Sequence, residues 1–229
     1  MRSIILLVRH GETPWNEKRL LQGRTDVALC DGGREQAKVL SSALSSVPLR
    51  ATYCSPLARA AETAKILSSS HRISPKIDEG FIEINFGEWE GKTPEALRRD
   101  YPRQYERWLV NPKDVTVAKA ELLGDVQTRV MRSFERITKE NENGVVCIVG
   151  HGGINRVLLL SLLQADLGAF WRLRQDTACL NLIELSDDIP RITLLNSTAH
   201  FKKDYTQIVE EAMIRMKIQV EEKGLRSRE

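Results

Sequence analysis

Along the chain, compact apolar runs alternate with longer stretches whose apolar positions recur every three or four residues. Ile4–Val8, Ala51–Cys54, Val145–Val149, Cys179–Leu185 and Arg191–Leu195 read as strands. Asp31–Ser46, Leu57–Ser69, Pro94–Leu109, Asp125–Asn141 and Ile154–Leu163 read as helices, with Gly or Pro punctuating the joins. This alternation predicts an α/β fold in three layers, a mostly parallel central sheet with helices on both faces. The last two strands lie close together around Asp187, Asp188 and Pro190, which predicts an antiparallel hairpin at one edge.

Two stretches stand outside the alternation. Residues from about 87 to 124 contain no strand pattern and read as a helical insertion, a kind of segment that often covers active sites. The tail, from about 202 to 229, carries an apolar stripe at Tyr205, Ile208, Val209, Ala212, Met213, Met216 and Val220. That stripe suits a long helix packed on the domain; the sharper alternatives are a contact that makes the chain a homodimer, or a lid.

Composition narrows this picture. The chain has 229 residues, 41% of them hydrophobic and 28% charged, enough for a substantial core without a metal or disulfide staple. A single domain spanning 1–229 is expected. The net charge of +3 gives no nucleic-acid footprint. Cys30, Cys54, Cys147 and Cys179 are widely spaced, with no CxxC pair, so a reduced, cytoplasmic protein is expected. The run Ile4–Val8 ends at once in Arg9 and His10, and Val157–Leu163 is far shorter than the roughly 20 residues of a membrane span. Neither a targeting signal nor a membrane segment is expected.

The chemistry gathers at strand ends. The first strand runs into Arg9-His10-Gly11-Glu12-Thr13, and Val145–Val149 runs into His151-Gly152-Gly153 before a helix. In an open α/β sheet the carboxyl ends of strands border the ligand crevice, so both histidines are expected to face one site. Ser55-Pro56-Leu57-Ala58-Arg59 brings Arg59 to the same edge, on the first turn of a helix. Two arginines and two histidines near helix N-termini suit a phosphoryl group, and the glycines beside the histidines admit an oxyanion to the backbone.

These segments also resemble the histidine phosphatase superfamily, which includes cofactor-dependent phosphoglycerate mutases and many phosphatases. Arg9-His10-Gly11-Glu12-Thr13-Pro14-Trp15-Asn16 matches its Arg-His-Gly-Glu-Thr-x-x-Asn hallmark. Further matches are Gln22-Gly23 with Asp26, Gly33 to Ala37, Ser55 to Ala60, Glu83 with Phe86-Gly87 and Trp89 to Gly91, His151-Gly152-Gly153, and Asn196 with Ala199-His200. The resemblance implies a phosphoglycerate mutase-like fold. It also implies that His10 is the nucleophile, that Arg9, Arg59 and His151 hold the phosphoryl oxygens, and that Glu83 is the proton donor. Asn16 and Gln22 are expected as neutral donors lining the phosphate or positioning water, with Gly23 and Gly152 in the same binding set. Glu83 would donate a proton if burial and like charges raised its pKa. No metal or cofactor is implied, and the partner is a small phosphorylated metabolite.

Other chemistries fit less well. Cysteine phosphatases use Cys-x5-Arg, whereas four residues separate Cys54 from Arg59, so Cys54 reads as a buried strand-end thiol. No HxH, HExxH or DxD set supports a metal hydrolase. A non-catalytic phosphate-binding module would lack the His10 and Glu83 pair. Between mutase and phosphatase, Glu83 to Gly91, Tyr101 to Trp108 and Phe170 to Asp176 resemble the phosphatase branch, which includes the α-ribazole-5′-phosphate phosphatases. The expected activity is therefore a metal-independent phosphomonoesterase working through phosphohistidine.

Several side chains carry further expectations. Arg98, Arg99, Arg103 and Arg107 read as a solvated face, with recognition of a second anion as the alternative. Glu88 and Glu90 read as solvated, Glu12 as a loop-orienting helper or alternative acid, and His71 and His200 as structural. Asp31 is expected to replace Cys30 as helix cap, Glu121 lies in an altered loop, and the Asn155 amide is placed to reach the pocket.

Overall fold

The side chains of β1 (Arg2–Arg9) divide between two cores. Leu6 and Val8 pack with Cys147 and Val149 against Leu40, Ala60, Ala64 and Leu67 on one face. Ile5 and Leu7 pack with Val146 and Ile148 against Val126, Val130, Ile137 and Val157 on the other. Burial on both faces explains why these strands read as continuous apolar runs. The computed structural model describes residues 2–186 and 189–201.

After β1 come α1 (Pro14–Glu17), α2 (Asp31–Leu44), β2 (Leu49–Cys54), α3 (Ala58–Ser68) and β3 (Lys76–Ile77). Then follow α4 (Pro94–Asp100), α5 (Pro102–Val110), α6 (Leu123–Glu140), β4 (Val145–Gly150), α7 (Gly152–Leu162), β5 (Leu180–Ser186) and β6 (Ile189–Ser197). The six strands form one sheet in the order β3-β2-β4-β1-β5-β6. The first four in that order are parallel, and β5 and β6 add antiparallel at the edge as the expected hairpin. Helices α2 and α3 cover one face, α6 and α7 the other, so the three-layer α/β architecture is the one read from the pattern.

Differences from the sequence reading have local causes. β3 spans two residues, too short for periodicity to register. The predicted helix 94–109 breaks at Tyr101, because Pro102 has no N–H to donate and keeps the preceding residue out of the helical region. Cys30 itself caps α2, its Sγ accepting from Gly33 N at 3.4 Å, while Asp31 sits in the first turn. Among the described residues no helix is long and apolar enough to cross a membrane. The amphipathic tail and its proposed dimer or lid role lie outside the described residues.

Candidate active site

The parallel strands β1, β2 and β4 end side by side, with Arg9 in register with Gly150. His10 N donates to Gly150 O at 3.0 Å and Ser55 N to Val149 O at 3.0 Å, tying both post-strand loops to the sheet. These bonds bring the His10 and His151 rings to 5.1 Å between centroids, edge to face. His10 Nδ1 lies 2.6 Å from Gly11 O. A carbonyl only accepts, so Nδ1 carries the hydrogen and the neutral ring keeps its lone pair on Nε2. Burial, reinforced by the charges of Arg9 and Arg59, holds His10 well below its ordinary pKa. The imidazole is therefore neutral near pH 7.

His151 uses both ring nitrogens on the protein. Nδ1 accepts from Arg59 Nε at 3.2 Å, so in the neutral ring Nε2 carries the hydrogen and donates to Ser55 Oγ at 2.7 Å. Burial, then Arg59, His10 and Arg9, push this histidine well below its ordinary value too. Arg59 is fully buried on the first turn of α3, donating through Nη1 to Thr25 O at 2.9 Å and through Nη2 to Gly23 O at 2.7 Å. Burial lowers it to about 10, which still leaves it cationic at neutral pH. Arg9 Nη1 donates to Gln175 O at 2.6 Å, and its buried Nε has no acceptor among the described residues. Asn155 does not reach the cavity as expected: its amide donates at 3.3 Å to Gln175, whose side chain is also locked to Asn181.

Glu83 sits on the N-terminus of α7. Its carboxylate accepts from Gly153 N and Ile154 N, each at 3.0 Å, and from Ile84 N at 2.9 Å. A Cβ on Gly153 would lie 2.6 Å from Glu83 Oε1, so the second glycine after His151 makes room for the carboxylate. Arg59 and Arg156 both sense the Glu83 charge. The Glu83 carbonyl is also anchored, by Arg24 Nε and Arg129 Nη2, each at 3.3 Å. Both arginines converge on Glu121. Burial pushes Glu121 up, but the hydrogen bond and charge of Arg129, then Arg24, bring it below its ordinary value.

These side chains border a cavity of about 220 Å³. Arg9, His10, Asn16, Gln22, Gly23, Arg59, Glu83 and Gly152 all line it, whereas His151 does not. Gln22 Oε1 is buried without a hydrogen-bond partner among the described residues. Asn16 Oδ1 is spent on Thr13, closing a capping box on α1. Glu12 bonds Gln36 and does not line the cavity, which removes it as an alternative acid. Nor is Glu90 solvated: it accepts from the backbone N–H groups of Arg24, Thr25 and Phe86 and so fixes the loop. Cys54 is buried, its thiol pushed up to about 11 by burial and then by Asp78, so it stays protonated. A larger groove of about 450 Å³ beside α6 and α7 has no histidine or arginine in its lining among the described residues.

The far wall was not foreseen. Arg156, Phe170 and Trp171 close it, and none of the insertion arginines lines the cavity. Arg103 and Arg107 are exposed, Arg99 pairs with Asp100, and Arg98 lies over the Tyr105 ring. Arg156 has one signal in the sequence: it lies four residues after Gly152, on the same helix edge.

A sequence profile of the histidine phosphatase superfamily, branch 1, matches residues 5–198. The chain belongs to this superfamily. Phosphoserine phosphatase 1 of Hydrogenobacter thermophilus is 32% identical over 203 residues, covering 89% of this chain and 96% of the relative. The adenosylcobalamin/alpha-ribazole phosphatase of Salmonella typhimurium is 27% identical over 198 residues, covering 86% and 98%. The solved structure of Bacillus stearothermophilus YhfR superposes with a TM-score of 0.82 at 31% identity, over 86% of this chain and 98% of that one.

Proposed function

We propose that this chain, a phosphomonoesterase of small phosphorylated metabolites, works through a phosphohistidine at His10. The observation that carries the mechanism is the His10 tautomer: Nδ1–H is tied to Gly11 O, leaving the Nε2 lone pair as the nucleophile. Nε2 attacks phosphorus while the ester oxygen leaves. Arg9 and Arg59 bear the charge spread over the equatorial oxygens. Glu83 gives a proton to the leaving alkoxide, and the carboxylate that results rests on the N–H groups of Gly153 and Ile154. It then takes a proton from the water that attacks the P–N bond, releasing inorganic phosphate and restoring His10. His151 orients Arg59 and packs on His10; Asn16, Gln22, Gly23 and Gly152 line the phosphoryl pocket.

The relatives' phosphatase names support hydrolysis over mutase chemistry, and the paired His10 and Glu83 support turnover over mere binding. α-Ribazole 5′-phosphate, expected from the resemblance, and phosphoserine, in the name of the Hydrogenobacter relative, frame the substrate range.

Incubation with a panel of phosphomonoesters in EDTA, following inorganic phosphate and phosphoglycerate isomers together, tests this reading. Net phosphate release without isomerisation is expected. Isomerisation dependent on 2,3-bisphosphoglycerate would identify a mutase, and tight binding without turnover a sensor. The pH profile adds a check. His10 reacts as the neutral ring, so its protonation removes activity only well below pH 6.5. A loss centred on 6.5 and traced to His10 would contradict the mechanism.

A further inference from the structure

Arg156 is a cation that the phosphoryl chemistry leaves without a task. It lines the cavity, and both of its hydrogen bonds go to backbone carbonyls, Nε to Leu173 O at 2.7 Å and Nη1 to Gly152 O at 3.2 Å. Among the described residues no carboxylate pairs with it. Its guanidinium is held 5.3 Å from the Phe170 ring and 5.1 Å from the Trp171 ring, which restricts the plane it can adopt. A second cation is close. An idealised Cβ on Gly152 would lie 3.4 Å from Arg156 Nη1 and also 3.4 Å from Arg9 Cζ. Burial, and then Arg9, lower Arg156 to about 10, which leaves it charged at neutral pH.

Two partly desolvated guanidinium groups flank one glycine with no carboxylate in salt-bridge contact among the described residues, Glu83 and Asp176 acting on Arg156 only from farther off, and such a pair is costly unless anionic groups visit it. One phosphoryl group at His10 answers Arg9 and Arg59. The donors that remain on Arg156 form a planar edge suited to a carboxylate. The cavity, about 220 Å³, is smaller than the ~300–1,000 Å³ of sites for drug-sized ligands, which favours a compact substrate.

Resting on the phosphatase reading above, we infer that Arg156 binds a substrate carboxylate, so that the enzyme selects phosphomonoesters whose alcohol bears a carboxylate a few bonds from phosphorus. Arg156 is then the specificity-determining residue, and Phe170 and Trp171 are positioning residues that hold its plane. Esters of neutral alcohols leave this cation unanswered and are the poorer substrates.

The test compares O-phospho-L-serine with O-phosphoethanolamine, which differ by one carboxylate, in full-length wild type, Arg156→Gln and Arg156→Lys. The wild-type kcat/KM ratio is expected to favour phosphoserine by on the order of 30-fold, the scale of a charged hydrogen-bonded contact. Arg156→Gln brings the ratio towards one, mainly through the KM for phosphoserine. Arg156→Lys keeps the charge without the fork and gives an intermediate ratio, and it carries the test should Arg156→Gln not fold.

A wild-type ratio near one, or a ratio that survives both substitutions, overturns the inference. Equal losses on both esters would show that Arg156 serves the phosphoryl group instead. Turnover of p-nitrophenyl phosphate with neither metabolite ester accepted also overturns the inference, yet leaves the phosphatase reading standing. Absence of both turnover and phosphohistidine would remove that reading itself.

Discussion

The floor of the cavity and its outer wall are held by different forces. On the floor, Arg9, His10, Arg59 and Glu83 are each fixed by hydrogen bonds to the backbone, at loops that leave parallel strands or at a helix N-terminus. On the wall, Phe86, Trp108, Phe170 and Trp171 are joined chiefly by ring contacts 5.0–5.9 Å apart, with one hydrogen bond from Trp171 Nε1 to Trp108 O, and Arg156, itself bonded to Leu173 O and Gly152 O, lies against the Phe170 and Trp171 rings. Backbone anchoring sets a reacting geometry closely, because the sheet that carries it is packed on both faces. Ring packing tolerates exchange of side chains, so recognition can change on the wall while the chemistry below is kept.

The sharpest way to break this division is at Glu83. Glu83→Gln is expected to slow alkyl phosphates by about 10²- to 10⁴-fold and p-nitrophenyl phosphate far less, since its leaving group needs little proton assistance. Steady-state rates on both esters decide, and equal losses would remove Glu83 as the acid.

Glu121 tests whether the floor depends on its support. It takes two bonds from Arg129 and one each from Arg24 and Asn85 N. Glu121→Gln is expected to cost about 1.5–3 kcal/mol in denaturant unfolding. It is also expected to lower kcat on alkyl phosphates by about tenfold, with a smaller loss on p-nitrophenyl phosphate, because Glu83 is displaced. The stability difference has a pH signature. The native carboxyl titrates below its ordinary 4.5, so its stabilisation is full above 4.5 and fades as pH falls through the lowered native value. A difference that persists in acid would assign the effect to packing.

Gly153→Ala forces a methyl against Glu83 Oε1 and is expected to cost about 1–3 kcal/mol, with kcat falling in parallel. Unchanged stability and kcat would show that the floor yields more readily than its hydrogen bonds imply. The smallest effect is expected at exposed Arg107, outside the cavity, where Arg107→Gln should alter kcat/KM by less than about twofold on either metabolite ester. A larger, phosphoserine-selective loss there would move anion recognition from Arg156 to the helical segment.

The same contrast explains what could be read in advance. Arg9, His10, Arg59 and His151 were legible because each stands in a short segment directly after an apolar run, and strand ends share one edge of an α/β sheet. Five of the six strands, with the edge hairpin, followed from the apolar pattern, and the two-residue β3 did not. Arg156 was not legible, since one arginine in a helix looks like a solvated face until Phe170 and Trp171 fold over it from 14 and 15 residues downstream. The roles of Glu90 and Glu121 were hidden for a related reason. A carboxylate that gathers loop N–H groups and arginines from distant segments has the same local sequence as one in water. His151 was read as a phosphate ligand from its motif, yet its ring partners, Arg59 and Ser55, come from another strand end and emerge only in three dimensions.

The most direct test is to quench the enzyme during turnover of a good phosphomonoester and locate the phosphate by mass spectrometry under conditions that preserve phosphohistidine. The mechanism predicts acid-labile phosphate on His10, and neither the adduct nor turnover in His10→Ala. Phosphate on another residue, or sustained hydrolysis by clean His10→Ala protein, would contradict it.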